Sequence, residues 1–297
     1  MQATVSNQKL DFVVIGAQKC ATSWIYYCLQ DHPSICVPEK KFEAGYIGGD
    51  VYQKEGATAF FDRLKPQGDQ LLGDVSVEYL YDLTTPKALE PFIKKPRFIA
   101  SLRNPVSRMI SGYYWLLRRG VLPNEPFEKA IASVLDQKPG FPDRIEGPLE
   151  EVVRRGCYAP QLNGFINQYG AENHFITLYE DIDERPLESV RLVYDFLGVD
   201  PTFSPPSLNI QPKKNSYSSL LLRLENATRN RALIKVLDYA NRSLARIAAP
   251  KDVASPAVRR KLAHLYAPTI EETIDTLAQL PESQRPTADH LRRQWSV

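Results

Sequence analysis

The chain has 297 residues and a mass of 33.7 kDa, enough to bury a substantial core as one large domain or two small ones. With 43% hydrophobic and 24% charged residues it is neither disordered, collagen-like nor fibrous in composition. Its 37 Lys and Arg against 35 Asp and Glu leave a formal charge of +2, which excludes a protein that coats nucleic acid and makes any anion site a local one.

Short β-branched runs alternating with longer helical patterns predict βαβ units around a parallel sheet. The first strand is 11–17 (DFVVIGA), apolar without alternation, as expected where both faces are covered. It passes through a small-residue turn into 22–30 (TSWIYYCLQ), which is apolar nearly all round and reads as a buried helix. Further strands are expected at 71–76, 97–103 and 174–179, and helices at 85–93, 106–119, 127–136, 159–169 and 187–197. The last two helices close on Gly170 and Gly198, where a helix end favours a left-handed residue. Residues 138–156 carry three prolines and three glycines and read as a long surface loop or flap. From Leu220 onward the pattern is helical, with an amphipathic stretch around 257–280. One domain over 1–297, with a core at 11–222 and a helical part at 223–297, is the simplest account.

Four cysteines (Cys20, Cys28, Cys36, Cys157) form no Cys-x-x-Cys pair, so neither a disulfide scaffold nor a zinc-finger pattern is present. The apolar run near the N-terminus is too short for a membrane span or a signal-peptide core, and no later segment reaches the roughly 20 apolar residues of a spanning helix. The expectation is a soluble, cytoplasmic protein in a reducing compartment.

Two stretches carry chemistry. In the first, Gly16-Ala-Gln-Lys19-Cys20-Ala21-Thr22-Ser23-Trp24 spans the passage from the first strand to the first helix. Ligands of open parallel sheets bind outside the carboxyl ends of the strands. A helix N-terminus there offers N–H groups and a partial positive charge to phosphate or sulfate. Lys19 adds a point charge, and Thr22 and Ser23 add hydroxyls. It is not a Walker A loop, which needs a glycine directly before the lysine. An ordinary strand-to-helix turn with a solvated lysine also accounts for these residues. In the second stretch, Arg103-Asn104-Pro105 ends a strand and opens a helix, on which Arg108 and Ser111 share a face at i, i+3. An arginine fork and a serine hydroxyl suit a phosphate, although solvated basic residues on a helix fit the pattern too.

The first stretch resembles the 5′-phosphosulfate loop of sulfotransferases that use 3′-phosphoadenosine-5′-phosphosulfate (PAPS), which runs Lys-x-Gly-Thr-Thr and is often followed by Trp. Ala21 stands where that family usually has Gly. Arg103-Asn-Pro-Val-Ser-Arg108-x-x-Ser111-x-Tyr113 resembles the family's 3′-phosphate motif, Arg-Asp-Pro-x-x-Arg-x-x-Ser-x-Tyr, with Asn104 for Asp. Gly156-x-Tyr158-x-x-x-Leu162 and Phe196-Leu197-Gly198 resemble two supporting segments, and Lys213-Lys214-Asn215 falls where a basic loop closes over the 3′-phosphate. The resemblance runs roughly from Asp11 to Leu222. It implies a P-loop-NTPase-like three-layer α/β sandwich, with a central parallel sheet flanked by helices. PAPS is then the co-substrate, with PAP as product and no metal. Nucleotide contacts are implied for Lys19, Cys20, Ala21, Thr22, Ser23, Trp24, Arg103, Ser111, Tyr158, Lys213, Lys214 and Asn215. Tyr158 suits core packing equally well, and the two lysines suit a solvated run.

The catalytic base separates the family's branches. The cytosolic branch uses a histidine on the strand matching 71–76, and GDVSVEYL has none. The heparan and carbohydrate branch uses a glutamate three residues before a Phe-Phe-like pair, after a His-Pro that ends the first helix. Here Asp31-His32-Pro33 is followed by Glu43, three residues before Tyr46. The resemblance therefore implies Glu43 as general base and Lys19 as the cation that neutralises the bridging oxygen as PAP leaves. Glu39 and Glu78 are the alternative bases and, with Ser76, the expected acceptor contacts. Where related enzymes carry Lys after the Glu of the second strand, this chain has Asp74-Val75.

Between Glu39 and Asp82 five basic residues face nine acidic ones. A polyanionic glycan needs many cations along its cleft, so this balance favours a neutral or cationic small molecule with a hydroxyl or amine, such as a natural product. A carbohydrate sulfotransferase is the alternative within the family. No nucleic-acid or membrane partner is expected. Two readings of other classes remain: a P-loop small-molecule kinase, which would need the Walker glycine and a Mg²⁺-holding Asp, and a non-catalytic nucleotide-binding protein, for which Ala21, Asn104 and Val75 speak.

Overall fold

The structure is a computed structural model that describes residues 8–39, 47, 49–119, 121–123, 125–135, 147–210 and 254–295. These fall into two compact units, one within 1–103, 158–212 and 271–296, the other within 104–157 and 213–270.

The first unit holds the sheet. Its strands are β1 (Phe12–Gly16), β2 (Ile35–Cys36), β3 (Leu71–Val75), β4 (Phe98–Leu102) and β5 (His174–Leu178), all parallel in the order β2-β3-β1-β4-β5. The residue pairs Phe12↔Gly73 and Val13↔Phe98 set the register on either side of β1. Gly73 is required at its position: a Cβ there would lie 2.0 Å from the Phe12 ring. The helices of this unit are α1 (Thr22–Asp31), α2 (Asp50–Phe61) and α3 (Thr85–Leu89), the last continued by a 3₁₀ turn at Glu90–Phe92.

The second unit contributes α4 (Pro105–Arg118), α5 (Phe127–Ala130), α6 (Ala132–Leu135) and α7 (Pro148–Arg154). The first then resumes with α8 (Tyr158–Tyr169), α9 (Tyr179–Glu184) and α10 (Pro186–Leu197). Near the C-terminus, α11 (Pro256–Leu277) is shared between the two units, and α12 (Ala288–Trp295) belongs to the first.

All five-residue strands except β3 are buried along their whole length, and β4 and β5 bury Ser101, His174 and Thr177 among their apolar residues. Phe12, Val14, Val75, Ile99 and Phe175 form one core cluster with Trp24, Ile25, Cys28 and Leu29 of α1 and Val190, Val193, Tyr194 and Leu197 of α10. Tyr194 fastens these helices together by donating its hydroxyl to the Cys28 carbonyl at 2.7 Å. On α8, Phe165 and Tyr169 pack on Phe98 with ring centroids 5.2 and 4.5 Å apart, and Tyr169 donates to the Pro86 carbonyl of α3 at 2.6 Å. Helices thus cover the parallel sheet, as the P-loop-like sandwich requires. Each fully buried Phe or Leu contributes on the order of 1.5–3 kcal/mol.

The four expected strands lie within a residue or two of β1, β3, β4 and β5, and the helices expected at 159–169 and 187–197 within a residue of α8 and α10. Helix α9 falls where no helix is expected, and four further elements differ. The 138–156 stretch expected as a loop contains α7, opened by Pro148 with Glu150 and Glu151 in its first turn and Arg154 in its last. The expected helix at 127–136 breaks into α5 and α6. The two-residue β2 and the kinked α2, whose Gly56 has φ of 74°, show no clear period. Among the described residues no helix is long and apolar enough to cross a membrane.

Candidate active site

The strand order places β1 between β3 and β4, so the chain leaves β1 toward one side and reaches β4 on the other. This is a topological switch point, where the carboxyl ends of neighbouring strands leave a crevice. Both motifs end there: Lys19 follows β1, and Arg103 follows β4.

The turn after β1 is built from left-handed backbone. Lys19 has φ of 69° and Ala21 φ of 61°, conformations that cost an L-residue about 1–2 kcal/mol and that glycine adopts freely. Ala21 is also the N-cap of α1 and has no oxygen with which to cap it. Gly16 has φ of 150°, and a Cβ there would sit 3.0 Å from Leu80 Cβ. Thr22 is buried and Ser23 half-buried in the first helical turn. Trp24 is buried and donates its indole N–H to the Leu208 carbonyl at 2.9 Å, tying α1 to the 3₁₀ turn at Pro206–Asn209.

Arg103 lies half-buried beside this turn. Its Nη1 donates to the Lys19 carbonyl at 3.3 Å, and its guanidinium carbon sits 3.9 Å from the centroid of the Tyr179 ring. Its Nε is buried with no partner among the described residues. Tyr158 is fully buried at the first residue of α8. Its hydroxyl donates to the Arg103 carbonyl at 2.8 Å and accepts from the Arg103 N–H at 3.4 Å. Cys20, also fully buried, has its Sγ 3.8 Å from the same hydroxyl. Lys19, Cys20, Arg103 and Tyr158 are therefore brought together within one unit, and Tyr179 joins them at the end of β5. Position alone could have flagged Tyr179, since it follows a strand's carboxyl end.

In the second unit, Asn104 caps α4: its side-chain oxygen accepts from the Ser107 N–H at 3.0 Å, and Pro105 follows at the first helical position. Asn and Asp cap in the same way, so the departure from the motif's Asp keeps the local chemistry. Ser111 is buried on this helix. Arg108 is fully buried, donates from Nη2 to the Val152 carbonyl and keeps Nε and Nη1 without partners among the described residues.

Of the expected acceptor residues, Ser76 is fully buried and its hydroxyl accepts from the Glu78 N–H at 3.2 Å. Glu78 is half-buried, whereas Glu39 is exposed and 3.4 Å from Lys65. Asp74 is buried: its carboxylate accepts from the Tyr79 hydroxyl at 2.6 Å, and that hydroxyl accepts from the Ile47 N–H at 3.1 Å. His32 ends α1 with both ring nitrogens engaged, one accepting from the Ser34 N–H and the other donating to the Asp200 carbonyl, each at 3.1 Å. Glu43, Lys213, Lys214 and Asn215 lie outside the described residues.

Known proteins carry the same stretch. The chain is 32% identical over 136 residues to the membrane-associated sulfotransferase kil1 of Dictyostelium discoideum, an alignment that covers 42% of this chain and 28% of that protein. The chain spans only about a quarter of the length of the first curated relatives it matches. The structure superposes on a sulfotransferase from Alicyclobacillus acidocaldarius with a TM-score of 0.65 at 21% identity, covering 94% of this chain and 99% of that one. It also superposes on mouse sulfotransferase SULT7A1 complexed with PAP, with a TM-score of 0.50 at 15% identity over 91% and 88% of the two chains. These likenesses show the fold. The model of the sulfotransferase domain matches residues 9–220, well over half of the sequence and including both strand-end motifs, and the chain accordingly belongs to the sulfotransferase domain family.

Proposed function

We propose that the protein transfers the sulfuryl group of PAPS to a hydroxyl or amine of a small-molecule acceptor. The observation that carries this reading is that Arg103, at the end of β4, reaches the turn after β1, its Nη1 donating to the Lys19 carbonyl at 3.3 Å. The 19–23 turn receives the 5′-phosphosulfate at a helix N-terminus, and the Arg103 fork receives the 3′-phosphate. The S–O bond to the 5′-phosphate breaks as the acceptor's O–S or N–S bond forms in line. Lys19 neutralises the oxygen that departs with PAP, and the acceptor proton passes to the Glu43 carboxylate. Such a transfer is mostly positioning and charge stabilisation. The acidic balance between Glu39 and Asp82 supports a neutral or cationic acceptor.

The test is thermal unfolding with metal-free PAP, run beside ATP with Mg²⁺, followed by an acceptor screen with labelled PAPS. A shift with PAP alone, together with labelled product, is expected through linkage. A shift only with ATP and Mg²⁺ would overturn the reading in favour of a kinase. Binding of PAP without any labelled product across the screen would favour a non-catalytic nucleotide binder.

A further inference from the structure

Arg103 is held by two aromatic residues rather than by its own strand alone. The Tyr158 hydroxyl bonds both its N–H and its carbonyl, and the Tyr179 ring lies under its guanidinium. Tyr158 is the first residue of α8 and Tyr179 the first of α9, so the backbone N–H of each lies in a first turn, where no intrahelical carbonyl accepts it.

Helix α12, which lies beyond the family-matched residues, meets Tyr158 directly and the residues that follow Tyr179 on α9. Trp295, 1% exposed, packs on Tyr158 with centroids 5.8 Å apart and donates its indole N–H to Glu180 at 3.4 Å. His290 meets Asp181 at 2.8 Å, and Gln294 donates to Glu184 at 3.4 Å. One face of α12 thus grips α9 along its length while Trp295 backs Tyr158.

We infer that Trp295 is a positioning residue for the nucleotide site, holding Arg103 in its anion-receiving geometry through Tyr158. Loss of the indole leaves the Tyr158 phenol without its backing. The loops that end β1 and β4, which meet at Cys20, Tyr158 and Arg103, then lose their common anchor. The inference rests on the PAPS reading.

The test is PAP affinity of the full chain by calorimetry, at a temperature where circular dichroism shows every variant folded. Trp295→Ala is expected to weaken PAP about tenfold, a loss in the range of contact-coupled residues. Trp295→Phe, which keeps a ring against Tyr158, is expected to restore most of that affinity. Tyr158→Phe should also weaken PAP, and the double variant should lose clearly less than the product of the two single losses, because both act on one route. Arg292→Ala, on the same helix as Trp295, breaks the surface pair with Glu271 of α11 and should leave affinity unchanged. Should Trp295→Ala fail to fold, Trp295→Leu takes its place with the same expectation. Wild-type affinity in a folded Trp295→Ala or Trp295→Leu protein, or full additivity with Tyr158→Phe, overturns the inference. A wild-type chain that does not bind PAP overturns instead the reading beneath it.

Discussion

The two neighbouring strand ends solve the passage from strand to helix in opposite ways. After β4 the chain caps its own helix: Asn104 accepts from Ser107, Pro105 presets the first helical φ, and the anion-seeking group is a side chain, Arg103. After β1 the N-cap is an alanine with no capping oxygen, held in a left-handed conformation, so a bound anion faces no rival from that position. One end is self-sufficient and carries its charge on a residue held by Tyr158 and Tyr179. The other is strained and presents a left-handed backbone turn at Lys19 and Ala21.

Breaking the β1 end should have the largest effect. Lys19→Ala is expected to lower kcat/KM for PAPS by on the order of 10²–10³, as removal of a single transition-state donor does elsewhere, while circular dichroism shows an unchanged fold. A loss of less than about tenfold would mean that the backbone alone holds the leaving group.

A control away from both ends is the β5 residue His174. Burial holds its imidazole down to about 4, against the pull of its Nδ1 bond to the Gly170 carbonyl at 2.8 Å. The folded form therefore stays neutral while the unfolded chain takes up a proton below its ordinary value of 6.5. Stability is untouched above that pH and is lost progressively from 6.5 down to about 4, by about 3 kcal/mol in total. Urea unfolding at pH 7 and pH 4.5 should show this loss, and His174→Asn should flatten it. An unchanged slope in that variant would assign the loss to other groups.

The capped end predicts a smaller change. Asn104→Ala should cost about 1 kcal/mol of stability, and Asn104→Asp should restore it, as read by denaturant midpoints. Smallest and of opposite sign is Ala21→Gly, which relieves the left-handed residue and should stabilise by roughly 0.5–1 kcal/mol. A destabilised Ala21→Gly protein would show that the turn is not strained in the way its φ indicates.

Much of this comparison was legible in the residues themselves. Apolar runs marked β1, β4 and β5 because strands covered on both faces have no polar side to display. Helix α7 went unread although Pro148, two glutamates and Arg154 are ordinary start and stop signals, because the surrounding prolines and glycines outweighed them. The kink at Gly56 broke the period of α2, and β2 is too short to have one. At the site, Lys19 and Arg103 stood out from local pattern, whereas Tyr79, Tyr179 and Trp295 did not.

The amino-acid sequence by itself determined where strands turn into helices and which residues stand at those turns, because backbone preference and capping act over a few neighbouring residues. Tertiary structure alone decided that Asp74 shares its proton-bearing partner Tyr79 with the Ile47 backbone, and that Arg103 rests on Tyr158, Tyr179 and, through Tyr158, Trp295. Contacts between residues so distant along the chain follow from which faces the sheet and its covering helices press together, and no periodicity in the sequence records that choice.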